Sequence, residues 1–303
     1  MRAAQSAAKK PPGYDGLCRH IGADESERRA KSERFVVRFL MKKEGTTTLV
    51  DQVRGEVVFE NALQDDFVML KSDGYPTYHL GVVVDDTEME ITHAIRGYEW
   101  IPSASKHIQL YDALGWEPPV WALLPLILGP DHKKLSKRSG DTAVLDYLKN
   151  GYLAEAMINF LALLGWSLDD HTSIITAAEL AEHFDLARVV ANPAVFDIER
   201  LNFLNGHYIR ATPNDELIGH FEACLPSILS ADEIAATVDP KAPPRPDLTL
   251  MREVATVRPD IKTGADLLSA FHAAGKDKIA AALPSLKERA KTLPELATGM
   301  LYL

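Results

Sequence analysis

The first sixty residues are mostly polar and are broken by two β-rich runs. Arg34-Phe-Val-Val-Arg-Phe-Leu40 and Gly55-Glu-Val-Val-Phe59 predict strands from their β-branched and aromatic content. This segment reads as α+β with antiparallel strands. From residue 66 the pattern changes. Phe67-Val-Met-Leu70 predicts a strand closed by a turn at Ser72-Asp73-Gly74, and the run from Tyr78 to Val84 predicts another, ending in a turn at Asp85-Asp86. Ser103 is placed to N-cap a helix to Leu114, with Gly115 as its stop. Val120 to Leu128 is apolar throughout and predicts a buried strand. Apolar strands alternating with helices imply a parallel α/β sheet, here about half of a doubly wound domain.

After Gly140 the pattern is helical. Leu153 to Leu164 is apolar and closes with Gly165; Thr176-Ala-Ala-Glu179 and Ser230-Ala-Asp-Glu233 have capping-box spacing. Asp239-Pro-Lys-Ala-Pro-Pro-Arg-Pro246 reads as a connector, and further helices follow to an apolar end at Leu303. At 303 residues the chain has room for two or three domains. With 46% hydrophobic and 25% charged residues it is no collagen, coiled coil or wholly disordered chain. Its net charge of −10 excludes a uniformly basic nucleic-acid coat, but residues 1–60 carry a local +3. The longest apolar run is nine residues, where a membrane span needs about twenty. Two cysteines, Cys18 and Cys224, make no disulfide framework and suit a reducing compartment, the cytoplasm or an organelle matrix. Residues 1–13 are too polar for a secretory signal and read as the tail of a surface helix ended by Pro11-Pro12-Gly13, with a short organelle-targeting helix as the alternative.

The densest chemistry is Lys133-Lys134-Leu135-Ser136-Lys137-Arg138, four cations in six residues just after the apolar run. On a loop at the carboxyl end of a sheet such ammonium groups suit a polyphosphate; a solvated basic turn is the alternative. A second group lies between Ser72 and Trp100. Tyr78 and Arg96 could reach one site at the sheet edge, where a guanidinium is the natural bidentate partner of a carboxylate. Arg96 could equally form a structural salt bridge with Asp85, Asp86 or Glu99, and Tyr78 could be a half-buried strand aromatic. Cys224, in an apolar helix, reads as core.

Together these runs resemble the glutamyl-tRNA synthetases of the class I aminoacyl-tRNA synthetases. Tyr14-Asp-Gly-Leu-Cys-Arg19, Ser72 to Trp100, Ser103 to Leu110, Gly115-Trp-Glu-Pro-Pro119, Gly151 to Asn159, Phe196-Asp197 and Leu204-Asn-Gly-His-Tyr-Ile209 are similar to that family, and Lys134-Leu-Ser-Lys-Arg138 is similar to the class I lysine-serine signature. The resemblance spans roughly residues 10 to 300. It implies α/β plus α architecture. Residues 1–64 would be the remnant of an α+β insertion that holds the tRNA acceptor end, and residues 65–149 the second half of a Rossmann-like catalytic domain. Residues 150–212 would be a stem-contact helical domain, and 213–303 part of a helical anticodon-binding region. It implies a cytoplasmic enzyme, monomeric at full length, that joins glutamate to tRNA(Glu) using ATP and Mg2+. Lys134 and Lys137 would hold the phosphates and stabilise activation, Ser136 and Arg138 would shape their loop, and Tyr78 and Arg96 would recognise glutamate.

His20-Ile-Gly-Ala23 is not the family's nucleotide signature: no apolar strand comes before it, and Asp24-Glu-Ser-Glu27 after it would repel ATP. The expectation is that the signature lies upstream of Met1, that the chain is truncated at both ends, and that it is inactive and poorly soluble alone. Cys18 and His20 match half of a zinc-ligand pattern known in relatives, but two ligands do not make a structural zinc site, and no metal site is expected here. The alternatives are a glutaminyl-tRNA synthetase, which the helical sequence after residue 213 disfavours, and a non-catalytic tRNA-binding protein.

Overall fold

The computed structural model describes residues 13–135, 143–228, 246–258 and 260–300. Ser136, Lys137 and Arg138, the Ser230–Glu233 capping box and residues 239–245 of the connector lie outside the described residues. The chain divides into two compact units, one of residues up to Pro125 with Leu186–Ala191, the other of Leu126–Asp185 with Asn192–Leu303.

The first unit is built on a four-stranded sheet. Strands β2 (Thr46–Asp51) and β3 (Gly55–Glu60) form an antiparallel hairpin, β5 (His93–Gly97) and β6 (Val120–Leu124) run parallel, and the order is β3-β2-β6-β5. Because β2 is also parallel to β6, the expected parallel sheet holds for three strands and carries an antiparallel strand at one edge. Strands on both sides of residue 64 therefore share one sheet. β2 alternates exposed and buried positions, turning Thr47, Leu49 and Asp51 inward. Two of these are polar, which hides the strand from a hydrophobic pattern. Both are satisfied. Thr47 donates to Asn61 Oδ1 at 2.6 Å, and Gln109 Nε2 donates to both residues. Asp51 accepts from the amides of Val53, Arg54 and Leu123 at 2.7–2.9 Å, joining the hairpin to β6. Of the run Arg34–Leu40, Val37–Arg38 alone forms a strand, β1, which pairs antiparallel with β4 (Val68–Leu70).

The clearest correction concerns Tyr78–Val84. It is not a strand: after helix α1 (Ala23–Ala30), Tyr78–Glu88 forms helix α2. Val83 is its buried residue, and His79, Val82, Asp86 and Thr87, all half-buried, extend from it as a stripe with helical spacing. Three consecutive valines imitate a strand, but packing of that stripe overrides their local preference. The helix α3 (Ile101–Leu114) starts two residues ahead of Ser103, because Pro102 fits a first turn that has no N–H partner to lose. Gly115 ends it as expected, at φ 69°, with Trp116 N–H bonded back to the Tyr111 carbonyl. The core joins Leu49, Val83, Ala94, Ala104, Leu110, Tyr111, Trp121 and Leu123.

In the second unit the apolar run resumes as β7 (Ile127–Leu128), which pairs with β8 (Ala194–Val195) in a separate parallel pair. Pro125, unable to donate to a ladder, divides the expected single strand. Helices follow: α4 (Val144–Lys149), α5 (Ala154–Ala162), α6 (Ala177–His183), α7 (Ile198–Ala211), α8 (Asn214–Cys224), α9 (Pro246–Val257), α10 (Gly264–Ala274), α11 (Lys276–Lys287) and α12 (Leu293–Met300). The Thr176–Glu179 capping box forms as expected. In the Phe196-Asp197 pair, Phe196 packs edge-on against Phe160 and Asp197 caps α7 by accepting from Glu199 and Arg200 amides. Asn205 is fully buried. It accepts from Leu153 N–H at 2.8 Å and donates to the carbonyls of Lys291 and Gly151. Leu153, Ala156 and Ile209 share one apolar cluster with Leu217, Phe221, Phe271 and Leu283, so the core runs through residue 212 without a break. Cys224 is buried in it, as expected.

Candidate active site

Tyr78 and Arg96 do come together, and the hairpin and helix before them explain how. Lys71 N–H bonds to Tyr75 O around the Ser72-Asp73-Gly74 turn, with Gly74 at φ 86°. Thr77 N–H then bonds to Met69 O, and Thr77 Oγ1 donates to Val68 O at 2.7 Å, so α2 begins at a fixed point beside β4. Tyr78 is its first residue. Arg96 stands near the carboxyl end of β5, the end at which parallel sheets bind ligands. The chain then turns through Tyr98–Trp100 into α3.

The Arg96 guanidinium has an aromatic wall and two polar neighbours. Nη1 donates to Tyr78 Oη. Cζ lies 5.5 Å from the Trp100 ring and 5.9 Å from the Tyr78 ring, and the two rings are 4.9 Å apart. Such contacts hold a cation in place without neutralising it. Nη2 is 3.7 Å from Asp86 Oδ2, which is a loose ion pair rather than a hydrogen bond; the side chains are 21% and 17% exposed. Burial pushes the Asp86 carboxyl above the usual carboxylate range, Arg96 pulls it back, and neighbouring Asp85 adds to the rise. Of the three salt-bridge partners weighed for Arg96, Asp86 pairs with it here, at a distance that leaves the guanidinium able to hydrogen-bond another anion.

Behind Tyr78 lies a histidine pair. His79 Nδ1 and His107 Nε2 are 3.0 Å apart, and the His107 ring stacks on Trp121 with centroids 5.9 Å apart. Burial pushes the His107 imidazole down to about 3, helped by the charges of His79, Arg96 and Lys106, and burial likewise lowers His79. Both are neutral at pH 7 and act as packing for the Tyr78 wall. Trp100 and the two histidines were not singled out from sequence, and Asp86 was read as part of a turn or as a structural salt-bridge partner of Arg96. For His79 and Asp86 the available signal was their helical spacing about Val82 and Val83, masked by the valine run.

Lys134 belongs to the second unit. It is exposed and follows a tight turn in which Gly129 N–H bonds to Lys133 O and His132 adopts φ 58°. It pairs with Leu128 as an isolated bridge, and Leu135 N–H bonds to Ile127 O. Asp131 accepts from Lys133 N–H, which holds its carboxyl below the usual range. The basic loop is thus rooted on β7. Cys18 is exposed, and among the described residues no three His, Cys, Asp or Glu side chains gather as a metal site. No helix among the described residues is long and apolar enough to cross a membrane.

The fold is that of a class I aminoacyl-tRNA synthetase catalytic domain with a mixed α/β sheet. More narrowly, the chain belongs to the tRNA synthetases class I (E and Q), whose catalytic-domain model matches residues 1–203. A glutamate–tRNA ligase of Dehalococcoides mccartyi is 48% identical over 237 residues, covering 78% of this chain and 47% of the relative. That of Finegoldia magna is 45% identical over 218 residues, covering 72% and 45%. A crystal structure of a glutamate tRNA ligase from Elizabethkingia meningosepticum, in complex with its amino acid, superposes with a TM-score of 0.73 at 29% identity, covering 97% of this chain and 56% of the other. The chain spans about half the length of the curated relatives it matches.

Proposed function

We propose that the protein acts as a glutamate–tRNA ligase, with tRNA(Glu), glutamate and ATP as substrates. In the first step the glutamate α-carboxylate attacks the α-phosphorus of ATP and pyrophosphate leaves, giving glutamyl-adenylate. In the second, the 3′-terminal ribose hydroxyl of the tRNA attacks the activated carbonyl and AMP leaves. The observation that carries the reading is the Arg96 guanidinium, held by Tyr78 Oη against the Tyr78 and Trp100 rings at the carboxyl end of β5. It offers the glutamate side-chain carboxylate a fixed, partly desolvated cation. Lys134 and Lys137 neutralise charge that builds on the phosphates, while Ser136 and Arg138 shape the loop. Mg2+ belongs to this proposal as an ion carried by the nucleotide. Residues 1–64 hold the acceptor end while lending strands to the catalytic sheet, 65–149 carry the catalytic half-domain, 150–212 contact the stem and 213–303 begin the anticodon-binding region. The setting is a bacterial-type cytoplasm and the working form a monomer.

The test is glutamate-dependent ATP–pyrophosphate exchange with tRNA present, on this chain alone and joined to its upstream reading frame. Exchange with glutamate is expected, and Arg96→Gln should raise the glutamate KM by about a hundredfold through two lost charge-assisted hydrogen bonds. Exchange with glutamine instead, or tRNA binding with no exchange in either form, would overturn the assignment.

A further inference from the structure

Asp86 sits beside the proposed substrate cation without bonding to it. Its carboxylate is 3.7 Å from Arg96 Nη2, beyond hydrogen-bond reach, so it acts on the guanidinium as a charge. The stronger hold on Arg96 is the Tyr78 hydroxyl. The Arg96–Asp86 pair is therefore neutral before any ligand arrives. An incoming carboxylate gives the site a net negative charge, whereas a carboxamide leaves it neutral and can donate an N–H to Asp86.

Resting on the glutamate-binding reading, we infer that Asp86 is a specificity-determining residue that takes up a proton when the glutamate side-chain carboxylate docks on Arg96. The surroundings favour this. Arg96 faces it from β5 and Asp85 lies beside it on α2. From α3 comes the buried Tyr111, whose phenol is raised by burial and by the charge of Asp86. Asp86 itself is largely buried, which already makes its ionised form costly. A second carboxylate sharing Arg96 adds like-charge repulsion in the same direction. His79 and His107, also near the site, are bonded to each other.

Isothermal titration of the 303-residue chain with L-glutamate, in buffers of different ionisation enthalpy between pH 6 and 8, reads the proton count directly. Glutamate should bind with net proton uptake, and its affinity should fall as pH rises, by up to about tenfold per unit. L-Glutamine should bind with none. In Asp86→Asn the uptake should vanish and glutamate affinity at pH 8 should rise about tenfold. Glutamate binding without proton uptake in the wild-type protein overturns the inference with no variant needed. Equal uptake in Asp86→Asn overturns it too, since it would place the proton on another group. No binding of glutamate at all fails the substrate reading itself and the inference with it.

Discussion

Replacing Asn205 with alanine should unfasten the second unit at its centre. The side chain is fully buried and bonds three backbone groups from two distant stretches: Leu153 N–H, Lys291 O and Gly151 O. Gly151 O keeps its bond from Leu293 N–H at 3.1 Å, so alanine strands two groups, the Leu153 amide and the Lys291 carbonyl. At about 1–3 kcal/mol for each unsatisfied buried group, the expected loss is about 3 kcal/mol. For a unit of this size that lowers the thermal midpoint by roughly 6–12 °C. Circular dichroism melts and urea titrations of wild type and Asn205→Ala measure it. A loss below about 1 kcal/mol would mean that water or local adjustment satisfies both groups, and the reasoning would be wrong.

Other outcomes follow from single observations. Gly264→Ala would place a Cβ 1.9 Å from the Leu225 carbonyl oxygen and 2.8 Å from that of Ile228. Backbone cannot yield easily there, so a loss above about 2 kcal/mol is expected in the urea midpoint. His107 is held neutral, near 3 against an ordinary 6.5. Below pH 6.5 the unfolded chain gains a proton the folded chain refuses, so stability falls as pH drops towards 3, by about 1.4 kcal/mol per unit for that one group. His107→Gln should flatten that slope; an unchanged slope would assign the acid sensitivity to other residues.

The residues that read well from sequence were those whose local chemistry and tertiary role agree. Gly115 stops its helix because a left-handed residue is needed there, and Thr176 caps because its partner Glu179 is three residues away. Arg96 and Tyr78 were legible as neighbours at one sheet edge, and the structure brings their side chains together. The failures share one cause: polar residues on an inward face. β2 hides Thr47 and Asp51 inside a satisfied network, so its hydrophobic alternation is incomplete. Helix α2 turns Asp86 and Thr87 inward and shows three valines in a row, so a strand was the simpler pattern. Asn205 and Gly206 lie within α7. The Gly206 backbone is so close to Ala290 that an added Cβ would stand 3.3 Å from its carbonyl. Only long-range packing defines these roles.

The first unit is completed by a segment that lies far along the chain. Leu186–Ala191 returns to it after sixty residues spent in the second unit, and Arg54 Nη2 donates to Ala191 O at 2.8 Å. During synthesis at about 5–20 residues per second, that return comes roughly 3–13 s after Pro125 has been made. For that interval the sheet waits with Arg54 unsupplied, and the growing helices of the second unit emerge before the first is closed. The order of manufacture thus differs from the order of assembly: the second unit has begun before the first can close.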